Sequence, residues 1–335
     1  MTVTQKDIAK KIGLSPSLVS RVLSGRAREV AISEETIKKV TELAEKMGYV
    51  PNIAAQSLKG IPSRTIGVMV SYFSDPFFGQ IVDALLQRAK DLDYSVVLSG
   101  FHFNSEPDDR ELRPLLKHQL DGLIVVGSSQ HINWMKELSE TRIPIARVGH
   151  GPANEFASRV AIDEDKAMKK IMQHLRDEEC RQAAFLGFEE TSMISHERLL
   201  GFMKYAGKLG MEVSAPTFIP PEADIRTAIK ISIKNLLNAP TLPHAVVCVT
   251  DHLALHLINE LREHNLSVPK DIAVVGIDDI PLAHIFHPKL TTVHQPIAQL
   301  VKLAFDIVIE NQIPHEVILD PQLIIRESSI RKNKA

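Results

Sequence analysis

The stretch LSPSLVSRVLSG, Leu14 to Gly25, decides how this chain begins to fold. Its apolar residues recur at helical spacing, so one side of the predicted helix faces a core. The opposite side carries serines and Arg21, with no carboxylate and little bulk. Because carboxylates would repel a polyanion, whereas serine and arginine would not, this side favours contact with a polyanion.

Two further helices flank this one. The sequence T-Q-K-D, Thr4 to Asp7, is typical of a capping box at a helix start, and Gly13 ends that helix. Ser15 caps the quoted helix only a few residues later. A third amphipathic helix is predicted over 33–48. Two helices joined by so short a turn have the helix-turn-helix layout.

The middle helix is the candidate for reading DNA. In a helix-turn-helix unit the second helix lies in the major groove, with its N-terminal residues on base edges. Pro16, Ser17 and Arg21 project there, and arginine pairs with guanine O6 and N7. Contacts to the DNA backbone are predicted for Thr4, Ser15, Ser20, Ser24, Arg26, Arg28 and Lys59. A solvated helix of a small bundle has the same spacing, so the helix pair alone leaves both interpretations open.

The segment YVPNIAAQSLKG, Tyr49 to Gly60, predicts a short hinge helix. Asn52 caps it, and the small Ala55 allows a second copy of the helix to approach closely. A helix of roughly seven residues does not persist alone in water, so it needs such a partner. Leu58 is left at its exposed end. It is either an incidental leucine of a flexible linker or a wedge that enters a minor-groove step.

Charge is unevenly distributed along the 335 residues. Residues 1–62 contain ten basic and six acidic side chains, whereas the whole chain has a formal charge of -2. A basic head on an acidic body agrees with binding of nucleic acid by the head. Cys180 and Cys248 lie in apolar stretches and are predicted to be buried free thiols. With no secretory signal and no membrane-length apolar run, we expect a cytoplasmic protein without a membrane partner.

The body alternates short apolar strands with amphipathic helices. TIGVMV at 65–70, YSVVLSG at 94–100 and IAVVGID at 272–278 are typical of these strands, and their apolar runs predict buried parallel strands. Repeated strand–helix units predict doubly wound parallel sheets. About six strands are expected over 64–162 and a similar set over 163–290, so two similar lobes are favoured over one large sheet.

The predicted fold class is an all-α helix-turn-helix head followed by an α/β body of two doubly wound lobes. The expected domains are a DNA-binding head at 1–50, a hinge helix and linker at 51–63, and an effector-binding and dimerisation body at 64–335. Because the last part of the chain returns to both lobes, the first is expected at about 64–162 and 292–320, the second at about 163–291 and 321–335.

Ligands of open parallel sheets bind beyond the carboxyl ends of the strands, which locates a cleft in the body. The predicted ligand-binding residues at these ends are Phe77, Phe78, Arg198, Thr250, Asp251 and Asp278. An aromatic platform with aspartate and arginine suits a sugar or a nucleoside, whose hydroxyls pair with charged groups. Asp251 has an equal alternative as a helix N-cap, and one of Phe77 and Phe78 has an alternative place in the core.

The head resembles the lactose-repressor/galactose-repressor family of bacterial regulators in T-Q-K-D-I-A-K-K-I-G-L-S, V-S-R-V-L-S-G, S-E-E-T and G-Y-V-P-N-I-A-A-Q-S-L-K. The body resembles the periplasmic-binding-protein fold of the same family in S-D-P-F-F, L-D-G-L-I-V, R-L-L-G-F, V-V-G-I-D-D and P-K-L-T-T-V-H-Q-P. The resemblance implies base reading by Ser17 and Arg21, with Pro16, and a minor-groove wedge at Leu58.

The same resemblance implies effector contacts at Arg198 and Asp278. The chain departs from the family in two places. Its loop at 26–32 looks a few residues longer, so Arg26 and Arg28 could add phosphate contacts. Where many relatives have an aspartate after the fourth strand, this chain has Gly149 and His150, so its effector could differ.

The implied function is that of a DNA-binding repressor controlled by a small ligand. We expect a homodimer on a pseudo-palindromic double-stranded operator, because one head reads only a few base pairs. The expected effector is a carbohydrate, with a nucleoside or purine as the alternative. A sugar-transport protein is disfavoured because no signal peptide is present.

An enzyme is disfavoured because the sequence lacks G-x-G-x-x-G, a P-loop and G-x-S-x-G. His252 and His256, four residues apart on one predicted helix, could bind a metal, but no third ligand or glutamate base accompanies them. No catalytic residue, metal or cofactor is therefore expected.

Overall fold

The structure is a computed structural model that describes residues 3–24, 27, 32–49, 62–71, 73, 75–101, 112, 115–127, 133–151, 154–188, 192–219, 225–237 and 241–331. Six predicted DNA-contacting or hinge residues lie outside these ranges, namely Arg26, Arg28, Asn52, Ala55, Leu58 and Lys59.

The described residues of the head include three helices, α1 (Gln5–Ile12), α2 (Pro16–Leu23) and α3 (Glu34–Lys46). The predicted capping box opens α1, where the Thr4 side chain accepts from Asp7 N and the Asp7 carboxylate accepts from Thr4 N. Gly13 follows α1 with φ of 73°, a conformation that costs glycine little because it lacks Cβ. Ser15 caps α2 by accepting from Leu18 N, so the predicted starts of both helices are confirmed.

The head buries one small apolar core. Ile8, Val19 and Val40, one from each helix, have no exposed surface. The side chain of Gln5 donates a hydrogen bond of 3.0 Å to the Tyr49 hydroxyl, which ties the residues after α3 back to α1. This packing fixes the orientation of α2, so its polar side is held outward.

The body consists of thirteen strands and eight helices among the residues that the structure describes. In chain order they are β1 (Thr65–Val70), α4 (Pro76–Asp91), β2 (Ser95–Gly100), β3 (Gly122–Val126), α5 (Asn133–Ser139), β4 (Ile145–Val148), β5 (Ser158–Ile162), α6 (Glu164–Asp177), β6 (Gln182–Phe188), α7 (Met193–Lys208), β7 (Glu212–Val213), β8 (Thr217–Ile219), α8 (Ile225–Leu237), β9 (Ala245–Cys248), α9 (Asp251–Glu263), β10 (Ala273–Asp278), α10 (Pro281–Ile285), β11 (Thr291–His294), α11 (Ile297–Ile309), β12 (Glu316–Leu319) and β13 (Gln322–Ile324).

The first lobe is built on a parallel six-stranded sheet in the order β12-β5-β4-β3-β1-β2. Five of these strands come from the 64–162 segment, where about six were expected, and β12 supplies the sixth. The prediction that 94–100 forms a fully buried strand was wrong. As β2 it lies at the edge of the sheet, and Leu98 is 41% exposed.

The second lobe is built on a seven-stranded sheet in the order β13-β11-β10-β9-β6-β7, with β8 also paired to β6. All its pairings are parallel except that of β13 with β11. Its core contains Cys180 and Cys248, which are buried free thiols as predicted. The doubly wound two-lobed body is therefore confirmed.

Within the described part of the chain, the backbone passes between the lobes three times. It crosses after β5, between β11 and α11, and between β12 and β13. The chain was predicted to return to the first lobe at about residue 292. This was three residues too early, because β11 extends to His294 within the second sheet. Gln295 and Pro296 connect β11 of the second lobe to α11 of the first. Among the described helices, none combines the length and apolar composition that a membrane span requires.

Candidate functional site

The predicted reading face of α2 is exposed. Pro16, Ser17 and Arg21 all point away from the buried Val19, and no carboxylate shares the helix with them. Ser17 and Arg21 are four residues apart, so their side chains lie on the same side of α2. An exposed guanidinium beside a small hydroxyl can enter a groove and pair with a base edge.

The described residues predicted to contact phosphates differ in exposure. Thr4 and Ser15 are exposed at the starts of α1 and α2. Ser20 and Ser24 are half-buried, and the Ser24 hydroxyl donates to the Arg21 carbonyl at 3.2 Å. Helix N-termini are favourable places for phosphate, so Thr4 and Ser15 have the better-placed hydroxyls.

The interlobe cleft begins where β1 leads into α4. Asp75 caps α4, and its Oδ1 accepts from Phe77 N at 2.9 Å. Phe77 packs against the cores of both lobes, whereas Phe78 packs against the first lobe only. The two rings meet edge to face, with centroids 5.5 Å apart. Phe77 therefore lies between the lobes, and the prediction that the pair divides between cleft and core agrees with this geometry.

Arg198 lies in the second turn of α7 and is 1% exposed. Its Nε and Nη2 donate to the two carboxylate oxygens of Glu164, each at 2.8 Å, and its Nη1 donates to the Val249 carbonyl. Burial alone would raise the pKa of Glu164, but Arg198 and His150 beside it hold that pKa below its usual value. The guanidinium is thus held in one orientation before any ligand binds.

Asp278 ends β10 with φ of 127° and is 3% exposed. Its Oδ1 accepts from Gln295 Nε2 at 2.7 Å, so the second crossing between the lobes contributes to the site. Burial raises the pKa of Asp278 well above its ordinary value, against the opposing charge of Arg198, and Asp75 and Asp251 raise it further. A ligand that donates hydrogen bonds to this buried carboxyl would favour its charged form and lower its pKa.

Asp251 is placed differently from the other predicted ligand contacts. It is the first residue of α9, has no exposed surface, and accepts from the Thr292 hydroxyl at 2.5 Å and Ile280 N at 3.0 Å. Both of its oxygens are therefore bonded to the protein. The N-cap of α9 is Thr250, whose side chain accepts from Leu253 N, so the alternative of Asp251 as the N-cap was wrong.

Further residues, absent from the predicted ligand contacts, lie between the lobes. His150 approaches two carboxylates, with Nδ1 3.0 Å from Glu197 and Nε2 3.3 Å from Glu164. Asp75 of the first lobe faces His252 of the second, at 3.9 Å between Oδ2 and Nδ1. The sequence marks His150 as a departure from the family, but its partner Glu197 lies 47 residues away, so no local pattern predicts this contact.

The histidine pair on α9 does not form a metal site with the residues that the structure describes. His252 and His256 have Nε2 atoms 3.2 Å apart. Within the described ranges, no group of three histidine, cysteine or acidic side chains is arranged to hold a metal ion. The pair is accounted for by contact between the two rings, whose centroids are 4.9 Å apart.

Comparison with protein families divides the chain in the same way as the structure. Residues 4–52 match the family of bacterial regulatory proteins of the lacI type. Residues 172–329 match a periplasmic binding protein-like domain. The first match covers the helix-turn-helix head, and the second covers most of the second lobe.

Full-length relatives have regulatory names. The HTH-type transcriptional regulator RegA of Clostridium saccharobutylicum is 30% identical over 98% of this chain and 100% of its own length. The HTH-type transcriptional repressor PurR of Glaesserella parasuis serovar 5 (strain SH0165) is 30% identical over 97% of this chain and 98% of its own length.

Solved structures show the same architecture. The lac repressor dimer bound to operator and the anti-inducer ONPF is 26% identical, with a TM-score of 0.84 over 98% of this chain and 100% of that one. A complex of the transcriptional regulator CelR with cellobiose shares the fold, with 24% identity and a TM-score of 0.66 over 97% of this chain and 99% of that one. With an exposed reading helix, an interlobe cleft and full-length relatives of this kind, the chain belongs to the lacI family of bacterial regulatory proteins and is a transcriptional regulator with a DNA-binding head and a ligand-binding body.

Proposed function

We propose that this regulator represses transcription by binding a pseudo-palindromic operator as a homodimer, and that a small ligand in the interlobe cleft controls its operator affinity. The observation that carries the proposal is the presence of both sites in one chain. The head holds Ser17 and Arg21 exposed on one face of α2. The cleft gathers Arg198, Asp278 and the ring of Phe77 between the lobes.

The dimer follows from how little DNA one head can read. A single recognition helix meets a few base pairs, so operator specificity requires two helices related by symmetry. The similar lac repressor structure is described as a dimer bound to operator. Its identity of 26% with this chain over nearly the full length of both supports the same assembly here.

The connection between cleft and head passes through the entry to the first lobe. Just before β3, the Asp121 carboxylate accepts from the backbone N–H groups of Ser63 and Arg64, both at 2.8 Å, and from the Ser63 hydroxyl at 3.0 Å. Three donors on one carboxylate fix the entry to the first sheet. A ligand that changes the angle between the lobes would therefore change the spacing of two hinge segments in a dimer, and with it the insertion of Leu58.

The charges around the cleft support a carbohydrate as the ligand. Asp75, Glu164, Glu197 and Asp278 provide four carboxyl groups around the guanidinium of Arg198. Carboxyl groups form hydrogen bonds with hydroxyls, and the ionised Glu164 and Glu197 repel anions. A neutral polyol that stacks on Phe77 suits this set, and a nucleoside or purine base is the alternative ligand.

Ligand binding without chemical conversion is the proposed role of the body. The relatives matched over their full length are named regulators or repressors. The site offers donors and acceptors on both lobes, which is sufficient for recognition and for setting the lobe angle. Because its target is chromosomal DNA, the proposed place of action is the cytoplasm.

Two measurements test the proposed function. A gel-shift titration with DNA from upstream of the protein's own gene should show a specific complex with one homodimer per operator. A thermal-shift screen of neutral sugars and nucleosides should find a ligand that raises the melting temperature, because such a ligand binds only the folded body. A protein that is monomeric at micromolar concentration and still binds DNA fully would contradict the dimer.

A further inference from the structure

His150 is a first-lobe residue whose side chain reaches the second lobe. It follows β4 of the first sheet, and its imidazole is 11% exposed. Its Nδ1 lies 3.0 Å from Glu197 Oε2 on α7, and its Nε2 lies 3.3 Å from Glu164 Oε1 on α6. Both helices pack in the core of the second lobe. One ring thus connects the two lobes through two contacts.

The chemistry of this contact requires a particular protonation state. A neutral imidazole donates from one nitrogen only, whereas the imidazolium donates from both. The Nδ1 of His150 is within hydrogen-bond distance of Glu197 and its Nε2 is within ion-pair distance of Glu164, so the imidazolium is the form that favours both contacts. Burial alone would raise the pKa of Glu197, but the hydrogen bond and charge of His150 hold that pKa below its usual value.

The same contact reaches the ligand-binding guanidinium. Glu164 Oε1 lies 3.3 Å from His150 and also accepts from Arg198 Nη2 at 2.8 Å. Glu164 and Arg198 both belong to the second lobe, so their ion pair can persist when the lobes separate. The contacts of His150 cannot, because they cross the cleft.

We propose that His150 is a positioning residue whose imidazolium holds the lobes together through Glu197 and Glu164, so that lobe closure joins the first lobe to the Glu164–Arg198 ion pair. We call His150, Glu164 and Glu197 the His150 latch. The proposal rests on the proposed function, since it assigns the regulation of the same cleft.

Other charged groups also face the latch. Arg159 on β5 donates from Nε to the Gly149 carbonyl at 3.3 Å and favours the charged form of Glu197. Arg198 on α7 does the same from the second lobe. Both cations favour the ionised form of Glu197, which strengthens its contact with His150.

Solution scattering of the full-length protein tests the latch without DNA or ligand. The maximum dimension should increase in His150→Gln and in Glu197→Gln, because each removes the charged contact across the cleft. Arg88→Gln is the matched control, since it breaks a 2.8 Å ion pair with Asp306 inside the first lobe.

Operator binding tests the coupling. The dissociation constant for upstream DNA should change by roughly 5- to 150-fold in either single latch variant, the range typical of allosteric coupling. The double variant His150→Gln/Glu197→Gln should change it no more than one single variant. Unchanged scattering in both single variants, or additive effects in the double variant, would overturn the latch. A wild type that binds no operator DNA would contradict the proposed function, while scattering would still decide whether the latch exists.

Discussion

Arg198 and Glu164 form a fully buried bidentate ion pair, with N···O distances of 2.8 Å for both Nε–Oε2 and Nη2–Oε1. A guanidinium and a carboxylate in this geometry match each other in charge and in shape. Because both charged groups are buried, the ion pair adds little net stability. Removal of either member would nevertheless be costly, because it would leave the other charge buried without a counter-ion. Arg198, the arginine proposed to bind ligand, is therefore held in place by a residue 34 positions earlier in the chain.

Glu164→Gln should destabilise the body by about 3–5 kcal/mol, since it leaves the buried Arg198 charge without its counter-ion. Urea unfolding followed by circular dichroism measures the loss. Asp165→Asn is a control on the same helix, because Asp165 and Lys204 form an ion pair at 2.6 Å that is about half exposed. An equal loss of stability in both variants would show that burial of the Arg198 pair is unimportant.

Arg21→Ala should reduce discrimination between the operator and its single-base variants by about 1–3 kcal/mol at one base pair, because a guanidinium pairs bidentately with one guanine. Lys59→Ala should instead weaken binding to all sequences alike. It should also reduce, by about one, the steepness with which the logarithm of the binding constant falls with the logarithm of salt concentration. Fluorescence anisotropy with a set of variant operators separates the two effects. An unchanged base preference in Arg21→Ala would mean that α2 is not the reading helix.

Asp251→Asn should change how the stability of the body depends on pH. Burial raises the pKa of Asp251 to about 7, although hydrogen bonds from Thr292 and Ile280 favour the charged form. The unfolded carboxyl titrates near 3.9, so between about pH 4 and pH 7 the folded state holds a proton that the unfolded state releases. The stabilising contribution is complete below pH 4 and is lost as pH rises through 7.

The free energy of unfolding of the wild type, relative to Asp251→Asn, should therefore fall by on the order of 2–4 kcal/mol between about pH 4.5 and pH 8. Urea titrations at four pH values measure this difference, and subtraction of the variant removes the other titrating groups. A difference that stays constant across the range would show that Asp251 is ionised throughout.

Local signals were sufficient to predict much of the fold. Thr4, Ser15 and Gly13 mark helix ends because caps depend on neighbours within a few residues, and those ends are where the structure has them. Buried parallel strands such as β1 and β10 leave long apolar runs, which is why both sheets could be anticipated. Position within a sheet leaves no such signal, so the edge location of β2 was missed.

The site was harder to predict because its contacts are distant in sequence. Asp251 follows a strand, as a ligand-binding residue would, yet its partner Thr292 lies 41 residues away and turns it into a buried structural group. A Cβ at Gly276 would lie 2.2 Å from Asp251 Oδ1, so a single glycine makes this placement feasible. Neither His150 nor Glu164 belongs to a local pattern that identifies its partner.

Asp121→Asn should weaken the response of operator binding to ligand. The carboxylate accepts three hydrogen bonds from Ser63 and Arg64, and an amide can accept at only one of its two atoms. The hinge segment would then be less firmly joined to the first sheet, and lobe motion would be transmitted less completely. The ratio of operator dissociation constants with and without the ligand found by thermal shift should fall toward one.

Asp93→Asn, at an exposed turn before β2, is the control for loss of one surface carboxylate. If Asp121→Asn kept the wild-type ratio while its melting temperature fell, Asp121 would stabilise the first lobe without carrying the signal.

Leu58→Ala should weaken operator binding by about 1.5–3 kcal/mol for each of the two subunits of the dimer, the contribution of one leucine side chain that passes from water into an apolar step. The loss should be similar for all operators with the same central base step. Insertion of a leucine depends on how easily that step deforms and little on hydrogen bonds to base edges. Leu58→Met keeps an apolar side chain of similar volume and should retain most of the affinity. The ligand-induced rise in melting temperature should be unchanged in both variants, since the ligand binds in the cleft. Equal operator affinity of the wild type and Leu58→Ala, measured by anisotropy at one salt concentration, would leave Leu58 as an incidental linker residue.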